Sequence, residues 1–130
     1  AGEETSRLGL EDIARAAGVR HVSVVDPYDM KRTRELIEAG LERDEVTVVI
    51  ARRPCVLLDR GHRAPPRRIN ADRCVGCGQC LSHGCPAIMD VTPVGEKKKQ
   101  VEIIAQLCTG CGVCAQLCPT GAIEEVSDHG

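Results

Sequence analysis

Hydrophobic and polar positions alternate in two different ways along this chain, and the change falls near residue 60. In the first part, apolar residues recur at helical spacing over residues 10–17, stopped by Gly18, and again over residues 30–43, where Met30, Thr33, Ile37 and Leu41 share a face and Asp29 is placed to cap. Residues 21–25 read as a strand. Residues 46–51 are apolar apart from Thr47, the pattern of a strand buried on both faces of a parallel sheet. Residues 22–51 therefore form a βαβ crossover, a unit that is almost always right-handed. Two strands and two helices make too small a sheet, so the segment reads as the end of a larger α/β domain.

After residue 60 the chain becomes rich in Gly, Pro and Cys, and its apolar runs shorten. Residues 87–92 and 100–106 are expected to form strands around a turn at 93–99, and residues 68–71 and 122–126 a second pair. An internal repeat underlies this half. CVGCGQCLSHGCPAIM at 74–89 aligns with CTGCGVCAQLCPTGAI at 108–123, a period of 34 that predicts pseudo-two-fold symmetry.

The repeat carries eight of the nine cysteines, as Cys74-x2-Cys77-x2-Cys80-x4-Cys85-Pro86 and Cys108-x2-Cys111-x2-Cys114-x3-Cys118-Pro119. The second spacing is that of bacterial two-cluster ferredoxins. Three cysteines at intervals of three wrap a loop around one side of a [4Fe–4S] cube, and the fourth iron lies out of that loop's reach. In this pattern the fourth Cys of each run serves the other cluster. Cys74, Cys77, Cys80 and Cys118 are thus expected to hold cluster 1, and Cys85, Cys108, Cys111 and Cys114 cluster 2. Gly76, Gly78, Gly110 and Gly112 stand between ligands, where a missing Cβ permits close approach and positive φ. Pro86 and Pro119 hold the preceding ligand extended. The extra residue in the stretch Leu81-Ser82-His83-Gly84 leaves two outcomes, an opened [3Fe–4S] centre or a local bulge absorbed by Gly84.

Two other readings of the cysteines are weighed against this one. Zinc needs paired CxxC units for a tetrahedral site, and an uninterrupted CxxCxxC leaves its middle thiolate without a role. A disulfide framework conflicts with the odd count, the crowding and the lack of a secretory apolar region at the start of the chain. Residues 68–130 bury little apolar area, so cluster ligation is expected to supply most of their folding free energy.

At 130 residues and net charge −2, with one Tyr and no Phe or Trp, the chain lacks the basic surface and stacking platforms of nucleic-acid binders. It has no apolar run long enough to span a membrane. Thiolates kept for metal imply a reducing compartment, the cytoplasm.

Three stretches carry a resemblance to a known family: Val25-Asp26-Pro27-Tyr28-Asp29, Val48-Val49-Ile50-Ala51-Arg52-Arg53-Pro54-Cys55, and the longer first cysteine run ending Gly84-Cys85-Pro86-Ala87-Ile88. With the order helix, βαβ, basic linker and double-cluster module, the chain resembles the C-terminal part of the alpha subunit of indolepyruvate ferredoxin oxidoreductases. The resemblance runs through nearly the whole sequence. It implies an α+β architecture: residues 1–58 as the terminal βαβ part of an α/β thiamine-diphosphate-binding domain, 59–67 as a linker, and 68–130 as a bacterial two-[4Fe–4S] ferredoxin-like domain. It also implies CoA-dependent oxidative decarboxylation of aryl pyruvates, with electrons passed to ferredoxin. The implied partners are the upstream remainder of the alpha subunit, a beta subunit and ferredoxin. No Gly-Asp-Gly followed about thirty residues later by Asn is present in the sequence. That motif holds Mg2+ and thiamine diphosphate in the family, so neither is expected to bind this chain alone, and no catalytic residue is assigned. A free-standing two-cluster carrier with an N-terminal docking segment is the alternative.

The remaining candidates read more plainly. Cys55 is expected to be a packed structural thiol, His83 an exposed loop residue, and residues 97–99 a solvated hairpin tip. His21, His62 and His129 show no partner spacing. Arg60, Arg63, Arg67, Arg68 and Arg73 are read as contacts to the rest of the subunit or as solvated, with docking of an acidic ferredoxin the rival.

Overall fold

A computed structural model describes residues 6–56, 58 and 64–126. The chain divides into two units between Arg53 and Pro54. Arg52 and Arg53 are tied back to the first unit: the Arg52 N–H donates to the Val25 carbonyl at 2.8 Å, and the Arg53 guanidinium pairs with Asp26. Residues 59–63 of the expected linker lie outside the described residues.

The first unit runs α1 (Leu10–Ala16), β1 (His21–Val25), α2 (Met30–Leu41) and β2 (Thr47–Ala51). The two strands pair in parallel, His21 opposite Thr47 and Val25 opposite Ala51. Gly18 turns the chain after α1 at φ +88°, and the Asp29 carboxylate caps α2 by accepting from the Arg32 N–H at 2.9 Å. Two details differ from the sequence reading. Helix α2 stops at Leu41, its end tightened by Arg43 N–H to Gly40 O at 3.3 Å. Its sheet-facing side is also rotated: Met30, Thr33, Leu36 and Gly40 are partly covered, while Ile37 and Leu41 are 48% and 81% exposed. The cause is Gly40, where an added Cβ would lie 3.1 Å from Thr47 Cγ2, so the helix meets the sheet along this ridge. Thr47 is half-buried rather than enclosed, and only Val25 and Ile50 are buried in this unit among the described residues.

Among the described residues the second unit contains β3 (Arg67–Ile69), a 3-10 turn (Leu81–His83), β4 (Ile88–Asp90), β5 (Val101–Ile103), α3 (Val113–Leu117) and β6 (Ile123–Glu125). Its strands make two antiparallel pairs, β3 with β6 and β4 with β5. The strands are shorter than the apolar runs suggest, but hydrogen bonding continues past their ends. Val91 N–H donates to Gln100 O, Ile104 N–H to Ala87 O and Asn70 N–H to Ala122 O. Beyond Ile104 the chain turns, with Cys108 N–H returning to Ile104 O at 3.0 Å, so the expected strand over 100–106 is cut back to Val101–Ile103. The core is small: Ala87, Val113, Cys114, Ala122 and Ile123 are buried. These residues sit where the two halves of the repeat meet the cysteine loops.

Candidate metal centres

Each cysteine triplet is shaped by glycines in the left-handed region. Gly76 and Gly78 have φ of +69° and +72°, and Gly110 and Gly112 of +73° and +74°, which reverses the backbone between ligands. At Gly110 space as well as conformation requires glycine. A Cβ there would run into the Ala64 carbonyl, whose carbon would lie at 2.7 Å.

The fold gathers the cysteines in a crossed arrangement. Cys74, Cys77 and Cys80 line one cavity together with Cys118, whereas Cys108, Cys111 and Cys114 line another with Cys85. The other walls are mostly aliphatic: Ile69, Val101 and Ile123 in the first, Ile88, Ile103 and Leu107 in the second. The chain reaches Cys118 through the single helical turn of α3, which it leaves in extended conformation before Pro119. In the first run the extra residue is taken up by the 3-10 turn, which closes on Gly84 at φ +69° with Gly84 N–H to Leu81 O at 3.1 Å. A local bulge thus carries the chain to Cys85.

Backbone donors point at sulfur in both cavities. Arg67 N–H lies 3.3 Å from Cys108 Sγ and Ala122 N–H 3.2 Å from Cys118 Sγ, within sulfur hydrogen-bond range. Burial pushes the Cys114 thiol up to about 11, reinforced by negative charge at Cys111, Cys108 and Cys85. Burial raises Cys80 too, followed by charge at Cys77, Cys74 and Cys118. At Cys118 burial again raises the thiol, but donors from Thr120, Ala122 and Ile123 outweigh it and leave it below its ordinary value. Four thiolates so placed repel one another until positive charge sits between them, and metal supplies that charge.

Among the described residues no group of three or more His, Cys, Asp or Glu side chains is arranged to hold a metal ion as it stands. A tetrahedral zinc with Zn–S near 2.3 Å draws its sulfurs to within roughly 4 Å of each other, whereas a cube of iron and sulfide keeps them farther apart. The donor set, aliphatic walls and N–H···S contacts suit the cube.

Several polar residues stand elsewhere than the sequence suggested. His21 has a partner, Glu45 Oε2 at 2.9 Å, and the other oxygen of that carboxylate, Oε1, takes Arg20. The two are distant in sequence and meet only because β1 and β2 start side by side. Cys55 is exposed, because the chain has already left β2 and passed Pro54. His83, by contrast, is exposed in the 3-10 turn, as the sequence suggested. Residues 97–99 are more than a solvated tip: Lys99 Nζ pairs with Asp90 at 2.7 Å, Lys99 N–H donates to Gly76 O at 3.1 Å, and Lys98 packs beside Gly76. This supports the first cysteine loop from behind. The Lys99 ammonium, with the Thr92 hydroxyl and N–H, holds the Asp90 carboxyl at about 2.

Three of the five arginines are engaged within the second unit. Arg67 pairs with Glu125 at 2.7 Å, Arg68 with Glu124 at 2.8 Å, and Arg73 donates to Thr120 O at 3.2 Å. Arg60, Arg63, His62 and His129 lie outside the described residues. Thr120 is a site residue the sequence did not single out, and Arg67 was singled out only as one of the linker arginines, not as part of a cysteine cavity. The signal for Thr120 was its place two residues after Cys118; for Arg67 there was none short of the strand register.

Two crossed four-cysteine cavities on short paired strands suit iron–sulfur clusters, and residues 67–125 match the family described as 4Fe-4S dicluster domain. Over nearly its whole length the chain is, further, a homologue of the indolepyruvate oxidoreductase subunit IorA. It is 41% identical over 129 residues to that subunit of Pyrococcus horikoshii, covering 94% of this chain and 19% of the relative. With the same subunit of Methanothermobacter marburgensis it shares 40% over 124 residues, 95% of this chain and 19% of the relative. The chain thus spans about a fifth of the length of these curated relatives. Pyruvate synthase subunit PorD of the latter organism is 36% identical over 56 residues, 43% of this chain and 59% of that protein. Among the described residues no helix is long and apolar enough to cross a membrane.

Proposed function

We propose that this chain is the electron-transfer portion of an indolepyruvate:ferredoxin oxidoreductase, corresponding to the C-terminal part of its alpha subunit. Cys74, Cys77, Cys80 and Cys118 hold one [4Fe–4S] cluster, and Cys85, Cys108, Cys111 and Cys114 the other. The crossed convergence of these cysteines on two aliphatic cavities is the observation that carries the reading. Bound clusters supply one-electron carriers, and two of them suit the electron pair that an oxidative decarboxylation releases. The protein's own part is to keep eight thiolates converged, to direct N–H groups at sulfur and to exclude water with Ile69, Val101, Ile88 and Ile103.

In this reading residues 1–58 are the tail of the thiamine-diphosphate-binding α/β domain, 59–67 the linker and 68–130 the double-cluster domain. Exposed Val24, Ile37, Leu41 and Val46 support it, since a parallel pair of strands with bare apolar neighbours fits the margin of a larger sheet. Thiamine diphosphate and Mg2+ belong to the remainder of the subunit, where CoA-dependent decarboxylation of an aryl pyruvate takes place. A beta subunit completes the enzyme and ferredoxin accepts the electrons, and thiolates kept for metal suit a reducing compartment such as the cytoplasm. Metal analysis is the test. Anaerobically purified chain is expected to contain about eight iron and eight sulfide, and stoichiometric zinc without acid-labile sulfide overturns the assignment.

A further inference from the structure

Arg67 reaches the second centre twice. Its backbone N–H approaches Cys108 Sγ at 3.3 Å, and its side chain lines the cavity shared by Cys85, Cys108, Cys111 and Cys114. The guanidinium is fixed there. Its terminal NH2 pairs with Glu125 at 2.7 Å, and an added Cβ on Gly112, between Cys111 and Cys114, would sit 3.2 Å from the same nitrogen. The side chain is only 16% exposed, and its Nε–H is enclosed with no hydrogen-bond partner. A guanidinium donor taken out of water and left unpaired is costly, so it calls for an acceptor. The first cavity has no arginine among its lining residues, and one of its cysteines, Cys77, is exposed.

We propose that Arg67 is a potential-setting residue. Its Nε–H donates to sulfur of the second cluster and its positive charge favours that cluster's reduced form, so the potential of the second centre lies above the value it would have without the guanidinium. One added electron makes the cluster more negative by one charge without breaking any bond, and hydrogen bonds and local charge are the protein's levers on that equilibrium. Glu125 opposes this effect in part, because its carboxylate offsets the guanidinium from outside the cavity. The two partners in one ion pair therefore act on the potential with opposite sign.

This rests on the two-cluster reading, and the test separates the two. The chain with both clusters in place is titrated with dithionite, following each cluster by its electron paramagnetic resonance and by the shifted β-proton signals of Cys108, Cys111 and Cys114. Arg67→Gln is expected to disfavour reduction of the second cluster at least tenfold, a downward shift of about 59 mV for one electron. The first cluster should move less. Glu125→Gln is expected to shift the second cluster upward. A merely structural ion pair predicts that neither substitution moves a potential, or that both shift it in the same direction; with full iron and sulfide content, either result overturns the proposal. Absence of sulfide in the unaltered chain defeats the two-cluster reading instead. If Arg67→Gln fails to retain clusters, Glu125→Gln alone decides, since loss of its upward shift is sufficient to reject the role.

Discussion

Cys118 shares its cavity with Cys80, although Cys114 is only four residues away in sequence. The cause is local. Helix α3 turns the chain once between Cys114 and Cys118, and the extended step before Pro119 carries Cys118 to the other repeat. The antiparallel pairing of β3 with β6 and the N–H of Ala122 then hold it there. Neither half of the module can complete its site without the other. Folding and metal loading are coupled in such a domain.

Crossed ligation gives the first prediction. Cys118→Ala should disturb the cluster held by Cys74, Cys77 and Cys80, and Cys85→Ala the one held by Cys108, Cys111 and Cys114. Resonance Raman and electron paramagnetic resonance spectra of the two variants, compared with those of Cys74→Ala and Cys108→Ala, distinguish the sites. Pairing of Cys118→Ala with Cys108→Ala, instead of with Cys74→Ala, would falsify the crossing.

Glycine at the second triplet gives another. Gly110→Ala meets a left-handed backbone and a collision with Ala64, whereas Gly95→Ala meets a left-handed backbone with nothing within 4 Å. Strain alone costs about 1–2 kcal/mol for a non-glycine residue. Gly95→Ala should lose stability in that range, and Gly110→Ala distinctly more. The rate at which visible absorbance bleaches on warming measures the difference; equal rates would mean that the Ala64 contact does not constrain the loop.

The cysteine spacing made the two cysteine loops legible because their geometry is local: loop, glycine, thiolate and proline are all read within a few residues. Both strand pairs were legible from apolar runs, but their ends were not, since Ile104 and Val91 are placed by cross-strand hydrogen bonds rather than by their own propensities. The same limit explains the misjudged face of α2. Ile37 and Leu41 fit the helical period as well as Leu36 and Gly40, and only the close approach of Gly40 to Thr47 decides between them. His21 with Glu45 and Arg67 with Glu125 are pairs between segments distant in sequence, and no spacing rule reaches them.

Leu41, with the largest exposure of any apolar residue on α2, tests the larger-domain reading. Leu41→Ser is expected to leave iron content unchanged and to raise the solubility of the 130-residue chain. In a complete subunit the same change should lower the yield of assembled enzyme. Unaltered assembly there would mean that this side chain is not covered by the rest of the subunit.

The last prediction concerns protonation at the edge of the first unit. Both guanidinium nitrogens of Arg52 donate to Glu11, at 2.7 and 2.6 Å, tying α1 to the end of β2. These hydrogen bonds, with a smaller contribution from the Glu11 backbone, hold its carboxyl at about 2. An unfolded glutamate titrates near 4.3, so folding lowers the value. A lowered carboxylate contributes stability that is present above the unfolded value and is lost as pH falls through about 2. The contribution is small, because solvent screens an exposed pair. Carboxyl NMR between about pH 3.5 and 6 should therefore find Glu11 ionised throughout, while Arg52→Gln should bring its midpoint back toward ~4.3. A Glu11 midpoint already near that value in the unaltered chain would show that the pair is not held in solution.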